Sequence, residues 1–431
     1  MTQLEKIGFI SVVVAVVIAN FYFVNFYAKL ILFAIPIVIA ALWSLAHPSH
    51  FRRFTAIHYV VAGYLLAGFI SVFHSSNTIY SLSYYFIYLS LVLIAFHAVR
   101  MCRSEQECMR LLWSIGRVIL VVALVSGILM MSPGSWDSLM GVQRFRGIYL
   151  HPVSYGNLLA LFLTIWIGYT FYRKGPSRLL HYLICLAVLI QIVLTKSRTP
   201  TIALIGVALY LLASTYYLRD RSRDAVLLRS AFMSISIPFV SIIILQWGMA
   251  VVRFMIRGQG DTFFQLTGRI FMWQVAWQQL KHNWLFGEGF AMAGNLLLGS
   301  GIYRTPQITE NPLLGEGGFT HLHNAWLQAA LQTNILGTIF FSILIIMLVK
   351  KVYLALRGKA VSSSPFLTYV CSGILFFTFI IMFVTSTPAM GRNITSFLFF
   401  FALFAADKYI LPVPKRNSRA FSKHLVGSIS R

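Results

Sequence analysis

The chain has 431 residues, of which 58% are hydrophobic and only 11% charged. Soluble globular proteins carry about 25% charged residues, so this composition excludes one or two water-soluble domains and makes lipid the solvent. The net charge of +24, from 35 Lys+Arg against 11 Asp+Glu, falls mostly in short connections between apolar runs. That is the pattern of a membrane protein orienting itself, not the basic stripe of a nucleic-acid binder.

Apolar stretches run at 6–22, 26–44, 57–74, 80–98, 109–131, 153–172, 179–195, 200–217, 231–252, 325–349, 365–386 and 393–411. At about 20 residues per crossing, they predict an all-α integral membrane protein of about twelve transmembrane helices. The first stretch continues straight into the second around Asn20 to Asn25, so no cleavable signal peptide is expected. With this count both termini share one side. Taking that side as cytoplasmic places 23 of the 35 lysines and arginines there, as the positive-inside rule requires. The expected division is 1–256, nine transmembrane helices; 257–322, a large loop on the opposite side; 323–411, helices ten to twelve; and 412–431, a basic tail attracted to anionic lipid.

Two segments on the opposite side stand apart. One is 132–152, with Arg144, Arg146 and His151; the other is the 66-residue loop 257–322. Loops of that length are uncommon without function or local structure. Within it, Ile270, Trp273, Val275, Trp277, Leu280 and Trp284 are spaced to make an apolar and aromatic helix face. Such a short amphipathic helix either lies in the headgroup layer or packs against other protein. Cys102 and Cys108 fall in a polar connection, Cys185 and Cys371 in apolar runs, and none in the large loop. No disulfide framework is indicated.

All eleven carboxylates lie outside the spans except Asp407, which is near a span end. Ion-coupled carriers place carboxylates inside the bilayer, which counts against that class. There is no Asp-x-Asp or Glu-x-His pair for a divalent metal and no phosphate-cradling glycine loop with its Lys and Ser/Thr. Neither a metal nor another cofactor is expected. The opposite side offers cations instead: Arg144, Arg146, Lys196, Arg198, Arg253, Arg257, Arg269 and Arg392, with His151, His321 and His323. An arginine presents a planar fork suited to phosphate, and several converging would suit a pyrophosphate. Each taken singly also reads as a solvated or headgroup-snorkelling residue. That alternative weakens for Arg198, because Lys196-Ser197-Arg198-Thr199-Pro200 is a very short connection that holds it near the mouths of two spans. His321 and His323 lack further ligands for a metal. A neutral imidazole suits general-base work, and an interfacial histidine beside a helix start is the other reading.

These residues resemble a known family. His323-Asn324, then Ala325-Trp326-Leu327-Gln328 and Gly337, is similar to the His-Asn signature of bacterial O-antigen ligases of the WaaL type and their polymerase relatives. So are Gly268-Arg269, Trp273 and the run Asn283-Trp284-Leu285-Phe286-Gly287-Glu288-Gly289. Ser197-Arg198-Thr199 matches the family's Ser-Arg between two spans, and Arg144-Phe145-Arg146-Gly147 with His151-Pro152 looks like its Arg-x-x-Gly element. The resemblance covers roughly residues 140–345, and Asn283-Trp284 departs from the family's usual Asn-Pro.

The resemblance implies a metal-independent, inverting glycosyltransferase of the bacterial inner membrane, with the large loop and the active site periplasmic. It implies an undecaprenyl-pyrophosphate-linked glycan as donor, lipid A-core as acceptor, membrane lipid as surroundings and no nucleic acid. His323 is then the expected catalytic base, with His321 as second candidate or orienter. Arg198 and Arg269, assisted by Arg144 or Arg146, are expected to bind the donor pyrophosphate. A polymerase that elongates lipid-linked repeat units shares these motifs; the adjacent His-Asn and the short Ser-Arg connection favour the ligase. A lipid-linked oligosaccharide flippase would line its interior with charge, whereas only Arg117 sits well inside a span. A membrane scaffold would not need the arginine-histidine constellation.

Overall fold

The computed structural model describes residues 1–21, 23–52, 54–139, 142–149, 151–172, 178–217, 269–290, 324–356, 360–361, 365–383, 393–409 and 411–412. In chain order it contains α1 (Gln3–Ile18), α2 (Phe26–Ala46), α3 (Ala56–Val72), α4 (Thr78–Met101) and α5 (Glu105–Ile128). A two-stranded hairpin follows, β1 (Trp136–Leu139) and β2 (Val142–Phe145), paired antiparallel from Trp136↔Phe145 to Leu139↔Val142. Then come α6 (Pro152–Tyr172), α7 (Arg178–Leu194), α8 (Arg198–Tyr217), α9 (Arg269–Asn283), α10 (Ala325–Leu356), α11 (Pro365–Ile381) and α12 (Ile394–Tyr409).

The chain is a mostly helical membrane protein. The predicted stretch 231–252 lies outside the described residues, as do most of 257–322 and the tail beyond residue 412. Each other predicted stretch coincides with a helix. Among the described residues, four helices are long and apolar enough to cross a bilayer by length and composition, over Tyr27–Ala46, Thr78–Met101, Glu105–Met131 and Ala325–Tyr353. The helices α3, α6, α7, α8 and α11 supply shorter apolar segments.

Local chemistry explains where the helices start. Thr2, Asn25, Asn77 and Ser104 each accept a backbone N–H with a side-chain oxygen at the head of α1, α2, α4 and α5. Such caps satisfy donors that would otherwise be orphaned. One predicted span is not a single helix: α10 is interrupted at Asn334, whose φ of 66° and ψ of −177° are non-helical.

A helix that is apolar all round belongs in the middle. That helix is α12, buried continuously from Ile394 to Ala406. Its Phe397 and Phe401 meet Phe9, its Phe400 meets Tyr88, and its Phe404 stacks on His58. Around it α3 packs along α10, α2 along α4, and α11 on both α8 and α12. The perimeter leaves Leu30, Ile31 and Leu42 of α2, Val121, Leu124 and Ile128 of α5, and Leu183, Leu186 and Ile190 of α7 exposed. These are the faces a bilayer would cover.

At the end that carries the amino terminus, polar groups tie helices together. Lys408 Nζ donates to the carbonyls of Val99, Arg100 and Cys102 at 3.0, 3.2 and 2.6 Å, closing the last turn of α4. Asp407 accepts a bond from Thr55 and lies 3.3 Å from Lys351 and 3.7 Å from His58. Asp407 thus has a structural partner set that joins α3, α10 and α12. The four cysteines are buried free thiols.

Candidate active site at the far end

The far end gathers the hairpin, the α7–α8 turn, the α9 segment and the start of α10. The hairpin is seated by its own backbone and by α5: Arg146 N–H donates to Ser135 O at 2.9 Å, and Ile148 N–H donates to Ser126 Oγ at 3.3 Å. Phe145 is fully buried against Tyr155. Gly147 adopts φ 58°, and a Cβ there would stand 2.5 Å from Ser126 Oγ. That position requires glycine, which gives the Arg-Phe-Arg-Gly run a physical reason. Beyond it Tyr149 bridges Phe21 at the end of α1. Burial pushes the Tyr149 phenol pKa up, and its oxygen has no hydrogen-bond partner among the described residues, as is true of Asn157 Oδ1 one helical turn into α6.

The α7–α8 connection is three residues long, 195 to 197, and Arg198 is the first residue of α8. Lys196 holds a left-handed φ of 48°, and Ser197 N–H donates to Thr195 Oγ1 at 3.2 Å. The turn is braced from below, where Tyr155 donates to Gln191 Oε1 and Gln191 Nε2 donates to Ala123 O at 3.1 Å. These bonds join α5, α6 and α7.

The hairpin and this turn meet through Arg144, whose Nε donates to Thr195 O at 3.2 Å. Arg146 instead folds back on its own hairpin, with Nε and Nη2 each 3.3 Å from Gly134 O. Two arginines with the same sequence reading therefore differ: Arg144 ties down the turn that leads into Arg198, and Arg146 stiffens its own loop. Arg144→Ala is expected to release the turn and raise amide hydrogen exchange at residues 195–197 more than Arg146→Ala does.

Arg269 opens α9, which coincides with the predicted helix of the large loop. Ala276 is buried while Trp277 is 58% exposed, and the helix packs on α10. The exposed aromatic surface is continued by Trp284, Leu285 and Phe286, with Phe286 stacked on His74 at 4.3 Å. One side packs on α10, and Trp277 lies exposed on another.

His321 and His323 lie outside the described residues, as do Arg253, Arg257 and Arg392. Asn324 is described, and it caps α10: its Oδ1 accepts Leu327 N–H at 3.0 Å. Ala325 N–H donates to Met382 O at 2.9 Å, pinning this helix start to the end of α11. The Asn of the His-Asn pair therefore fixes the chain one residue after His323. Asn324→Ala is expected to cost about 1 kcal/mol of helix stability, with Asn324→Asp close to wild type, in denaturant or thermal unfolding. Sequence reading missed this cap and the break at Asn334. The available signal was an asparagine inside an apolar run with Gly337 three residues on.

Residues 183–342 match the family described as O-antigen ligase. The matched segment runs from α7 through the break in α10 and includes the positions of Arg198, Arg269, His321 and His323; the hairpin with Arg144 and Arg146 precedes it. No curated protein matches the chain.

Proposed function

We propose that this chain, whose residues 183–342 match the O-antigen ligase family, transfers a glycan from undecaprenyl pyrophosphate to lipid A-core. Its surroundings are the bacterial inner membrane, and its far end faces the periplasm. The family match carries this reading. The joining of the hairpin to the Ser197-Arg198 turn through Arg144 supports it, because that bond assembles two of the arginine motifs into one place.

Arg198 and Arg269 hold the donor pyrophosphate. Both stand at the first residue of a helix, where unpaired N–H groups and the helix dipole already favour an anion. Negative charge grows on the pyrophosphate as the glycosidic bond breaks, so fixed cations there stabilise the transition state more than the ground state. His323 accepts the proton of the acceptor hydroxyl as that oxygen attacks the anomeric carbon from the face opposite the leaving group. One displacement inverts the configuration at that carbon. His321 orients His323 or substitutes for it.

Arginines take the place of a divalent cation in this scheme. Transfer by the purified protein is expected to continue in EDTA at the untreated rate, followed by gel shift of the lipid A-core. Activity lost in EDTA and restored by a divalent cation sinks the metal-independent mechanism. Supplying lipid A-core and lipid-linked repeat units separately tests the acceptor: product on the core supports ligation, and elongation on undecaprenyl pyrophosphate instead makes the enzyme a polymerase.

A further inference from the structure

We propose that the segment Trp284–Phe290 is a backbone wedge that keeps α10 in two pieces and so sets where the outer piece, Ala325–Thr333, presents His323. Gly287 and Asn334 are its positioning residues. The consequence for catalysis rests on the assignment of His323 as the base; the wedge itself does not.

In an uninterrupted helix, Ile335 N–H would donate to Leu331 O, four residues earlier. Here that single bond is split open and both halves are taken by the same loop. Glu288 N–H donates to Leu331 O at 2.8 Å, and Ile335 N–H donates to Trp284 O at 3.1 Å. A backbone group left unpaired at membrane depth costs several kcal/mol, so the break and the loop each require the other. Asn334 then begins the inner piece as its cap, with Oδ1 accepting Gly337 N–H at 3.1 Å. At φ 66° and ψ −177° Asn334 holds a strained conformation that glycine adopts freely, kept in place by these bonds.

The loop fits because of its glycine. Gly287 has φ 72°, and a Cβ there would lie 2.8 Å from Asn334 N and 3.1 Å from the carbonyl carbon and oxygen of Gln332. These are backbone atoms, which cannot swing aside. Two residues later a Cβ on Gly289 would meet Ser75 Cα at 3.0 Å. Phe290 completes the anchor: it is 1% exposed, with ring centroids 5.8 Å from Tyr85 and 5.2 Å from Tyr88. The wedge is thus fixed to α3 and α4 on one side and to the broken helix on the other.

The outer piece has nine residues, Ala325 to Thr333, so it reaches about 13 Å from the break at 1.5 Å per residue. A small rotation at Asn334 becomes a displacement of ångström size at Ala325, two residues after the proposed base. Misplacement of a reacting group by about 1 Å costs on the order of a hundredfold in rate.

The test uses the full-length protein in lipid nanodiscs, reading amide hydrogen exchange at residues 288 and 335 beside kcat and donor affinity. In the wild type both amides are expected to be protected. Gly287→Ala is expected to lose protection at both and to drop kcat at least about tenfold, with donor affinity within about twofold. Unchanged protection overturns the wedge; lost protection with wild-type kcat overturns its positioning role. If Gly287→Ala does not fold, Asn334 decides. Asn334→Asp keeps the acceptor and is expected to hold protection and kcat, while Asn334→Gly keeps the φ but loses the cap and falls between it and Asn334→Leu. Equal kcat and protection across all three overturns the proposal. Retained transfer in His323→Ala would defeat the base assignment while leaving the exchange result to judge the wedge.

Discussion

Replacing His323 by alanine is expected to abolish glycan transfer while donor binding persists. A positioned general base contributes about 10²- to 10⁴-fold, and a sugar hydroxyl is too weak a nucleophile to displace pyrophosphate without losing its proton. The donor is held by arginines in this mechanism, so removing an imidazole leaves its affinity in place. Transfer from purified lipid-linked donor, read beside donor binding on the same preparation, separates the two effects. Turnover near the wild-type rate would move the base to His321 or elsewhere. The wild-type rate should also fall as the pH is lowered, because a base must be unprotonated to accept a proton. The sign is decisive, because an imidazolium acting as general acid would give the opposite slope. Asn324 supports the assignment structurally, since its cap and the Ala325–Met382 bond fix the backbone that follows the histidine.

Arg198→Lys is expected to lower transfer by about 10²- to 10³-fold, the range for removing one preorganised donor from a developing charge. Lysine keeps the charge but loses the planar fork, so a large loss identifies bidentate recognition of the pyrophosphate. A fully active Arg198→Lys enzyme would make that residue a point charge only. The position is suited to the test because Arg198 leaves a three-residue turn that is held from several directions. Arg144 bonds its carbonyl at Thr195, Ser197 bonds the Thr195 hydroxyl, and Gly156 of α6 packs on Pro200. The backbone therefore stays in place when the side chain changes, and the effect reports on the fork.

Much of this arrangement is legible in the order of residues. Apolar stretches long enough for a bilayer leave no choice but helices, because every backbone polar group in lipid must be satisfied within its own segment. Charge asymmetry between alternate connections gives the expected orientation, and the short spacing of Lys196 to Pro200 already places Arg198 at the mouths of two helices. Family signatures at Arg144–Gly147, Ser197–Thr199, Arg269 and His323–Asn324 mark the candidate site, and residues 183–342 match the family they suggest.

What the sequence does not carry is which neighbour each group meets. Arg144 and Arg146 are two residues apart and chemically identical, yet one bonds Thr195 and the other Gly134; only the docking of the hairpin on α7 separates them. The glycines at 287 and 289 read as a motif without a cause until the backbone of α10 and Ser75 are seen where their side chains would be. The continuous apolar run from Ala325 onward predicts one helix by length and composition. Its break at Asn334 depends on a loop more than forty residues earlier arriving to take up both ends of one hydrogen bond. Local pattern therefore predicts the apolar helices, an expected orientation and the groups available for chemistry, because those follow from solvent and period. Tertiary structure alone decided the partners, because a hydrogen bond between distant segments leaves no periodic trace in either.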